Sequence, residues 1–380
     1  NRKLKKQLQF YVIKSNVTNA LSTDQGIIFV TLGLLAQLEN EAQLAFVLSH
    51  EIAHFSEAHV EQSYQERISV DREDSYDTRI TKLSNYSKDN ELEADKLSLK
   101  LYHKAGYSKD ELLSAFDVLI YSYLPFDEVA LPKAYFDNDL LFIPEIFFPN
   151  EINPIKVDED YDDSKSSHPN IRKRKNAVIN ELDAYSSWGE KEFILSKEEF
   201  IKIRTISRFE NIRIDLIDHR YGDALYSIYL LEKKYPNNLY LQTSKAKAWL
   251  GLSRFKKYGS YSTVVTTPSK VEGESHSMQY LLKKLKKIQL YTVSMRIIED
   301  IRKSFPNDES LKKMSDDMIK ILANYSRFKI GEYSELNYLS ALEAFEQSKL
   351  SLIENSKIDS LEGAENIDKN DEELSKYDKI

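Results

Sequence analysis

The sequence contains no cysteine, which excludes a disulfide-stapled scaffold and any zinc site built on thiolates. Glycine (10) and proline (9) are scarce among 380 residues, whereas there are 24 Tyr and 17 Phe. Collagen-like chains are thereby excluded, and packed helices with few tight turns are expected. No apolar run approaches the roughly 20 residues that cross a bilayer. Excess basic charge is also missing. The 53 Lys and Arg against 61 Asp and Glu give a net charge of −8, which excludes a generally basic nucleic-acid binder. What remains is 41% hydrophobic and 30% charged, a globular composition of two or three domains at about 150 residues each. The chain begins at Asn1 rather than Met, so a signal peptide or lipid anchor is expected upstream.

Along the chain, residues 8–14 and the apolar GIIFV at 26–30 read as strands, and Leu32 to Leu38 reads as a helix. Asn40 resembles an N-cap with Gln43 three residues on, as in a capping box. It opens a helix predicted over about 41–62, apolar nearly all round and therefore central. Residues 61–90 are polar and poorly patterned. Helices are predicted over about 89–104, ending at Gly106, and over about 108–123. Residues 124–169 hold six of the nine prolines and form a long irregular segment, with a helix following His168-Pro169.

From about residue 196 the pattern is continuous amphipathic helix. Residues 221–237 align without gaps to residues 291–307, an offset of 70, with Tyr235-Pro236-Asn237 matching Phe305-Pro306-Asn307. Two units of 35 residues ending at a proline point to tetratricopeptide-like repeats with an irregular middle unit at 253–276. Such a region is expected to fold alone. Residues 354–380 carry nine acidic and four basic side chains and read as a disordered tail. The expected domains are 1–195, 196–350 and an acidic tail over 351–380.

The chemistry concentrates at His50-Glu51-Ile52-Ala53-His54, an HExxH sequence. Two histidines four apart share one helix face, so both imidazoles reach one zinc ion, and the glutamate between them can deprotonate a water held there. With seven histidines in the chain, chance gives this pattern roughly 0.01 times. Catalytic zinc needs a third protein ligand. The other histidines are His59, His103, His168, His219 and His276. The acidic candidate is Asn90-Glu91-Leu92-Glu93-Ala94-Asp95, where Glu91 and Asp95 share a helix face. One of that pair can bind metal while the other orients a ligand histidine.

Residues 11–59 followed by 86–108 resemble zinc metallopeptidase family M48. That family includes the CAAX prenyl proteases, the mitochondrial inner-membrane stress protease and bacterial periplasmic proteases with tetratricopeptide repeats. The matching features are Asn19-Ala20, Gly26 with its strand, Gly33-Leu34-Leu35, His50 to His54, His59, Glu91 to Asp95, Ala105-Gly106-Tyr107, and Ser167-His168-Pro169 with Arg174 six residues past the histidine. The resemblance implies a mainly α, α+β fold, in which a zincin-like protease domain with a small β-sheet precedes the helical repeats. It also implies one zinc per chain held by His50, His54 and Glu91, Glu51 as the base, and Asp95 behind the ligands. The gap of 37 residues from His54 to Glu91 carries no apolar hairpin, so a version without membrane spans is expected.

The expected activity is a zinc-dependent endopeptidase acting on protein or peptide substrates, in envelope protein quality control. Glu51 would take the water proton and pass it to the leaving amine, and His168 or Arg174 would stabilise the oxyanion. Alternatively, His168 would plug the metal at rest. Gly26, Ile27, Ile28, Phe29 and Val30 would line the cleft as an edge strand for substrate, or else form a core strand. The repeats would recruit partner proteins. The rival reading is a chaperone-like scaffold with a latent protease site. The expected compartment is the bacterial periplasm or envelope, with the cytoplasm as the alternative.

Overall fold

The computed structural model describes residues 2–69, 76–139, 141–156 and 170–323. In chain order come α1 (Arg2–Gln7), β1 (Gln9–Ile13), β2 (Ala20–Ser22), β3 (Ile27–Thr31), α2 (Leu32–Gln37), α3 (Glu41–Ser56), α4 (His59–Ser69), α5 (Tyr76–Ala105), α6 (Lys109–Ile120), α7 (Ile171–Glu181), α8 (Lys197–Ile217), α9 (Tyr221–Glu232), α10 (Leu239–Lys257), α11 (His276–Lys284), α12 (Lys287–Ser304) and α13 (Glu309–Ala323). The fold is mainly helical with one small sheet. By contact it divides into two compact units. One comprises residues up to Glu128 with Ile155–Asp218, the other Val129–Pro154 with the residues from His219 on. Helix α8, in the span read as repeat-like, packs on α2 within the first unit.

The sheet has the order β1-β3-β2. β1 runs parallel to β3 with Gln9 opposite Ile27, and β2 pairs antiparallel with Ala20 opposite Val30. β3 is thus the central strand. Its alternate residues Ile28 and Val30 are buried, and its hydrogen-bonding edges are taken by β1 and β2. The expectation of a cleft edge at Gly26, Ile27, Ile28, Phe29 and Val30 is therefore corrected, because a strand paired on both sides has no free edge for a peptide. Strand β2, three residues long (Ala20–Ser22), was not expected. Thr31 ends β3 and caps α2. Its hydroxyl accepts from the Leu34 N–H at 3.1 Å and donates to the Val17 carbonyl at 2.6 Å. Gly33 follows where a Cβ would overlap the Asn16 backbone carbonyl, so only glycine fits this approach.

Helix α3 starts as its sequence indicates. The Asn40 carboxamide oxygen accepts from the Gln43 N–H at 2.9 Å, while the Gln43 side-chain oxygen accepts from the Glu39 N–H at 2.7 Å. The helix lies between two cores. Phe46 packs edge-on against Tyr102 and beside Phe116 in a cluster with Leu99, Leu112 and Val178. Val47 on the next position joins Val30, Leu34, Leu38 and Phe200. Burying a side chain of that size stabilises by about 1.5–3 kcal/mol, so packing on both sides holds α3 rigidly. The helix ends at Ser56, shorter than predicted, because Ala58 adopts a left-handed φ of 56°. The stretch read as unpatterned is instead helical in α4 and in the first half of α5. Gly106, at φ 81°, closes α5 as predicted.

In the second unit, the aligned halves of the sequence repeat coincide with α9 and with the body of α12. Each is followed by the Pro-Asn turn that leads into α10 or α13, and α10 packs on α9, α12 and α13. Much of the proline-rich segment is ordered and belongs to this unit. The Tyr226 hydroxyl accepts from the Val129 N–H at 3.0 Å and donates to the Val129 carbonyl at 2.8 Å. Tyr135 stacks edge-on against Tyr229 and donates to Glu232, which also pairs with Lys245. Phe136 meets buried Trp249, and Asn138 donates to Asp300. The predicted tail over 351–380 lies outside the described residues.

Candidate metal centre

Helix α3 stacks His50 and His54 one turn apart, with their Nε2 atoms 3.0 Å from each other. Helix α5 brings Glu91 across from α3. Its Oε2 is 3.4 Å from His50 Nε2 and its Oε1 is 3.4 Å from His54 Nε2. Ligand atoms around a tetrahedral zinc with bonds of about 2.0–2.2 Å stand roughly 3.3–3.5 Å apart. The three donors therefore fit one metal ion with little adjustment, and all their ligand atoms lie within 4.8 Å of one another. Glu51, buried on the same helix, lies close enough for its charge to act on Arg174.

Burying this much carboxylate demands compensation. Glu91 is 5% exposed and Asp95 only 1%. An unpaired buried charge is strongly unfavourable. Compensation comes from Arg174 on α7, a helix opened by the Asn170 side chain, which accepts from the Arg172 N–H at 2.9 Å. The Arg174 guanidinium donates from Nε and Nη2 to the two Asp95 oxygens at 2.8 and 2.7 Å, and Nη1 stands 3.0 Å from Glu91 Oε2. Such a fork matches carboxylate geometry on two atoms at once. Burial alone would raise the Asp95 carboxyl, but Arg174 first and then His50 hold it down to about 2.

Asp95 also accepts from His50 Nδ1 at 2.9 Å. That bond fixes the ring orientation and leaves Nε2 aimed at the centre. Burial and Arg174 both lower the His50 imidazole, yet the hydrogen bond and charge of Asp95 and the hydrogen bond of Glu91 outweigh them and raise it to about 9. Metal binding at His50 therefore displaces a proton.

Of the sequence candidates, the structure brings together His50, Glu51, His54, Glu91, Asp95 and Arg174. His168 lies outside the described residues. His103 binds the Ser186 carbonyl and packs against Tyr185 and Trp188, while His219 and His276 sit in the second unit. Two further participants, His59 and Glu93, stand within the sequence motifs but were assigned no role there. His59, the first residue of α4 and 2% exposed, places its Nδ1 3.0 Å from His54 Nδ1. Its Nε2 stands 3.4 Å from Glu93 Oε2. The available signals were a histidine five residues past His54 and a second glutamate two residues past Glu91.

Residues 1–70 match the model of peptidase family M48, a span that includes the whole HExxH segment and His59. This match supports a metallopeptidase. No individual curated protein matches the chain. Among the described residues, no helix is long and apolar enough to cross a membrane.

Proposed function

We propose that this chain, whose first 70 residues match the model of peptidase family M48, is a zinc-dependent endopeptidase that hydrolyses protein or peptide substrates. The observation that carries the reading is the convergence of His50 Nε2, His54 Nε2 and the Glu91 carboxylate from two helices at 3.0 and 3.4 Å. Each histidine is backed at Nδ1 by its own partner. His50, His54 and Glu91 would hold the ion. When bound, zinc supplies Lewis acidity that polarises a peptide carbonyl and activates water.

The chain's own residues do the rest. Glu51 takes the proton from the attacking water and delivers it to the leaving amine. Asp95 keeps His50 in the tautomer whose Nε2 lone pair faces the centre. Three N–H groups of Arg174 are committed to Asp95 and Glu91. We therefore assign Arg174 to holding those carboxylates rather than to the oxyanion, a role that passes to His168 on the resemblance alone. The helical unit from His219 on would recruit protein partners in the manner of tetratricopeptide repeats. Support comes from the sequence repeat that falls on α9 and on the body of α12, with the Pro-Asn turn after each. A place in protein quality control of the bacterial envelope follows from the resemblance alone.

Metal analysis of the purified chain tests the ligand set. The expected result is one zinc per chain in the parent and almost none in Glu91→Ala. Full zinc occupancy in Glu91→Ala would refute the third-ligand assignment.

A further inference from the structure

We propose that His59 is a positioning residue that locks His54 in its metal-binding tautomer through a directed hydrogen-bond chain ending at Glu93. The inference rests on the reading of His54 as a metal ligand. Two imidazole Nδ1 atoms 3.0 Å apart must share one proton, with one ring donating and the other accepting. Both far sides face a carboxylate at 3.4 Å, Glu91 Oε1 for His54 and Glu93 Oε2 for His59, and the ligand role of His54 settles which, because a metal-binding Nε2 carries no proton. His59 Nε2 faces Glu93 Oε2 at 3.4 Å, and an ionised carboxylate only accepts. His59 therefore carries its proton on Nε2 and offers the Nδ1 lone pair to His54. His54 then carries its proton on Nδ1, which frees its Nε2 lone pair for the centre shared with His50 and Glu91. The reverse tautomer would put a proton on the very atom that must bind metal. The two ligand histidines are thus oriented by different means. His50 meets the Asp95 carboxylate directly, whereas His54 reaches a carboxylate through an intervening ring.

The backbone is arranged to make this contact. Had α3 continued, residue 59 would stand five positions on from His54, about 140° around the helix and facing away. Instead α3 ends at Ser56 and Ala58 turns left-handed at φ 56°. Helix α4 restarts at His59, with the Gln62 N–H donating to the Ala58 carbonyl at 3.0 Å. A left-handed alanine is strained, and the chain retains that strain where it turns a buried histidine back onto a ligand.

The test uses the full chain with cobalt(II) as the metal probe. Affinity and visible spectrum are recorded for the parent, His59→Phe and His59→Asn. Nitrogen NMR of the metal-free protein reports the His54 tautomer. The expected parent result is a proton on His54 Nδ1. His59→Phe should lose that preference, bind cobalt roughly 10–100-fold more weakly and shift its spectrum. His59→Asn, whose amide oxygen can accept where Nδ1 stood, should recover most of the affinity. Glu93 is 61% exposed at its side chain, so Glu93→Ala leaves the fold intact and should weaken cobalt severalfold. Should the Phe variant fail to fold, Glu93→Ala and His59→Asn decide the matter, and parent-like affinity and tautomer in Glu93→Ala would overturn the inference. Parent-like affinity and spectrum in a folded His59→Phe would overturn it as well. Failure of the parent itself to bind cobalt would overturn the metal-centre reading and this inference with it.

Discussion

Replacing Arg174 with leucine should destabilise the first unit by about 3–5 kcal/mol, the usual cost of removing one partner from a buried ion pair. The structure shows why the full cost applies. The substitution deletes contacts at 2.7, 2.8 and 3.0 Å and leaves Asp95 and Glu91, at 1% and 5% exposure, without the guanidinium that binds them both. At 2–4 °C per kcal/mol for a unit of this size, the loss corresponds to roughly 6–20 °C in melting temperature. The assay is thermal unfolding of the metal-free chain followed by circular dichroism. Acid sharpens it. The Asp95 carboxyl is held at about 2 against an ordinary 3.8. Its contribution is present above the ordinary value and lost as pH falls toward 2. The variant lacks most of that contribution, so the two melting curves should converge in acid. Asp95→Asn in the Arg174→Leu background should cost less than the two single changes added together, because the residues share one network. An Arg174→Leu protein melting within about 2 °C of the parent at neutral pH would refute the reasoning.

Two further outcomes concern the second unit. Glu299 is held below the usual carboxylate range, because hydrogen bonds from Arg302 and Ser315 outweigh the burial that would raise it. Its stabilisation is therefore present above the ordinary carboxylate value and lost as pH falls through the depressed one, and Glu299→Gln should flatten the acid limb of the unfolding profile. A fragment of residues 219–323 should melt well below one supplied with a peptide of Val129–Pro154, since Tyr226, Tyr229, Glu232, Trp249 and Asp300 all lose partners without that segment. Equal melting temperatures would show that the segment only decorates the helices.

The HExxH pair was legible because its chemistry depends on spacing within one helix, which a sequence displays directly. Glu91 was legible only in combination, since an acidic pair on a helix is ordinarily a solvated face. The N-cap at Asn40 could be read, although Gln43 reaches the Glu39 N–H rather than that of Asn40 itself. What escaped depends on tertiary packing. The break at Ala58 falls on the best helix-forming residue type, so propensity argued for continuing α3 through residue 59. β2 is three residues long and carries no period of its own. The polar run preceding Glu91 lacks an apolar stripe, yet its helix is held by what its later half packs against. The proline-rich segment offers no local sign of which helices it will pack on, and only the positions of Tyr229 and Trp249 in space decide that.

The most direct measurement is hydrolysis of an unfolded protein by the chain loaded with one zinc, beside Glu51→Gln loaded equally. Cleavage by the parent is expected, with a loss of about 10²–10⁴-fold in the variant at unchanged zinc content, because only proton transfer is removed. Cleavage by Glu51→Gln at the parent rate, or none by the zinc-loaded parent, would contradict the endopeptidase reading.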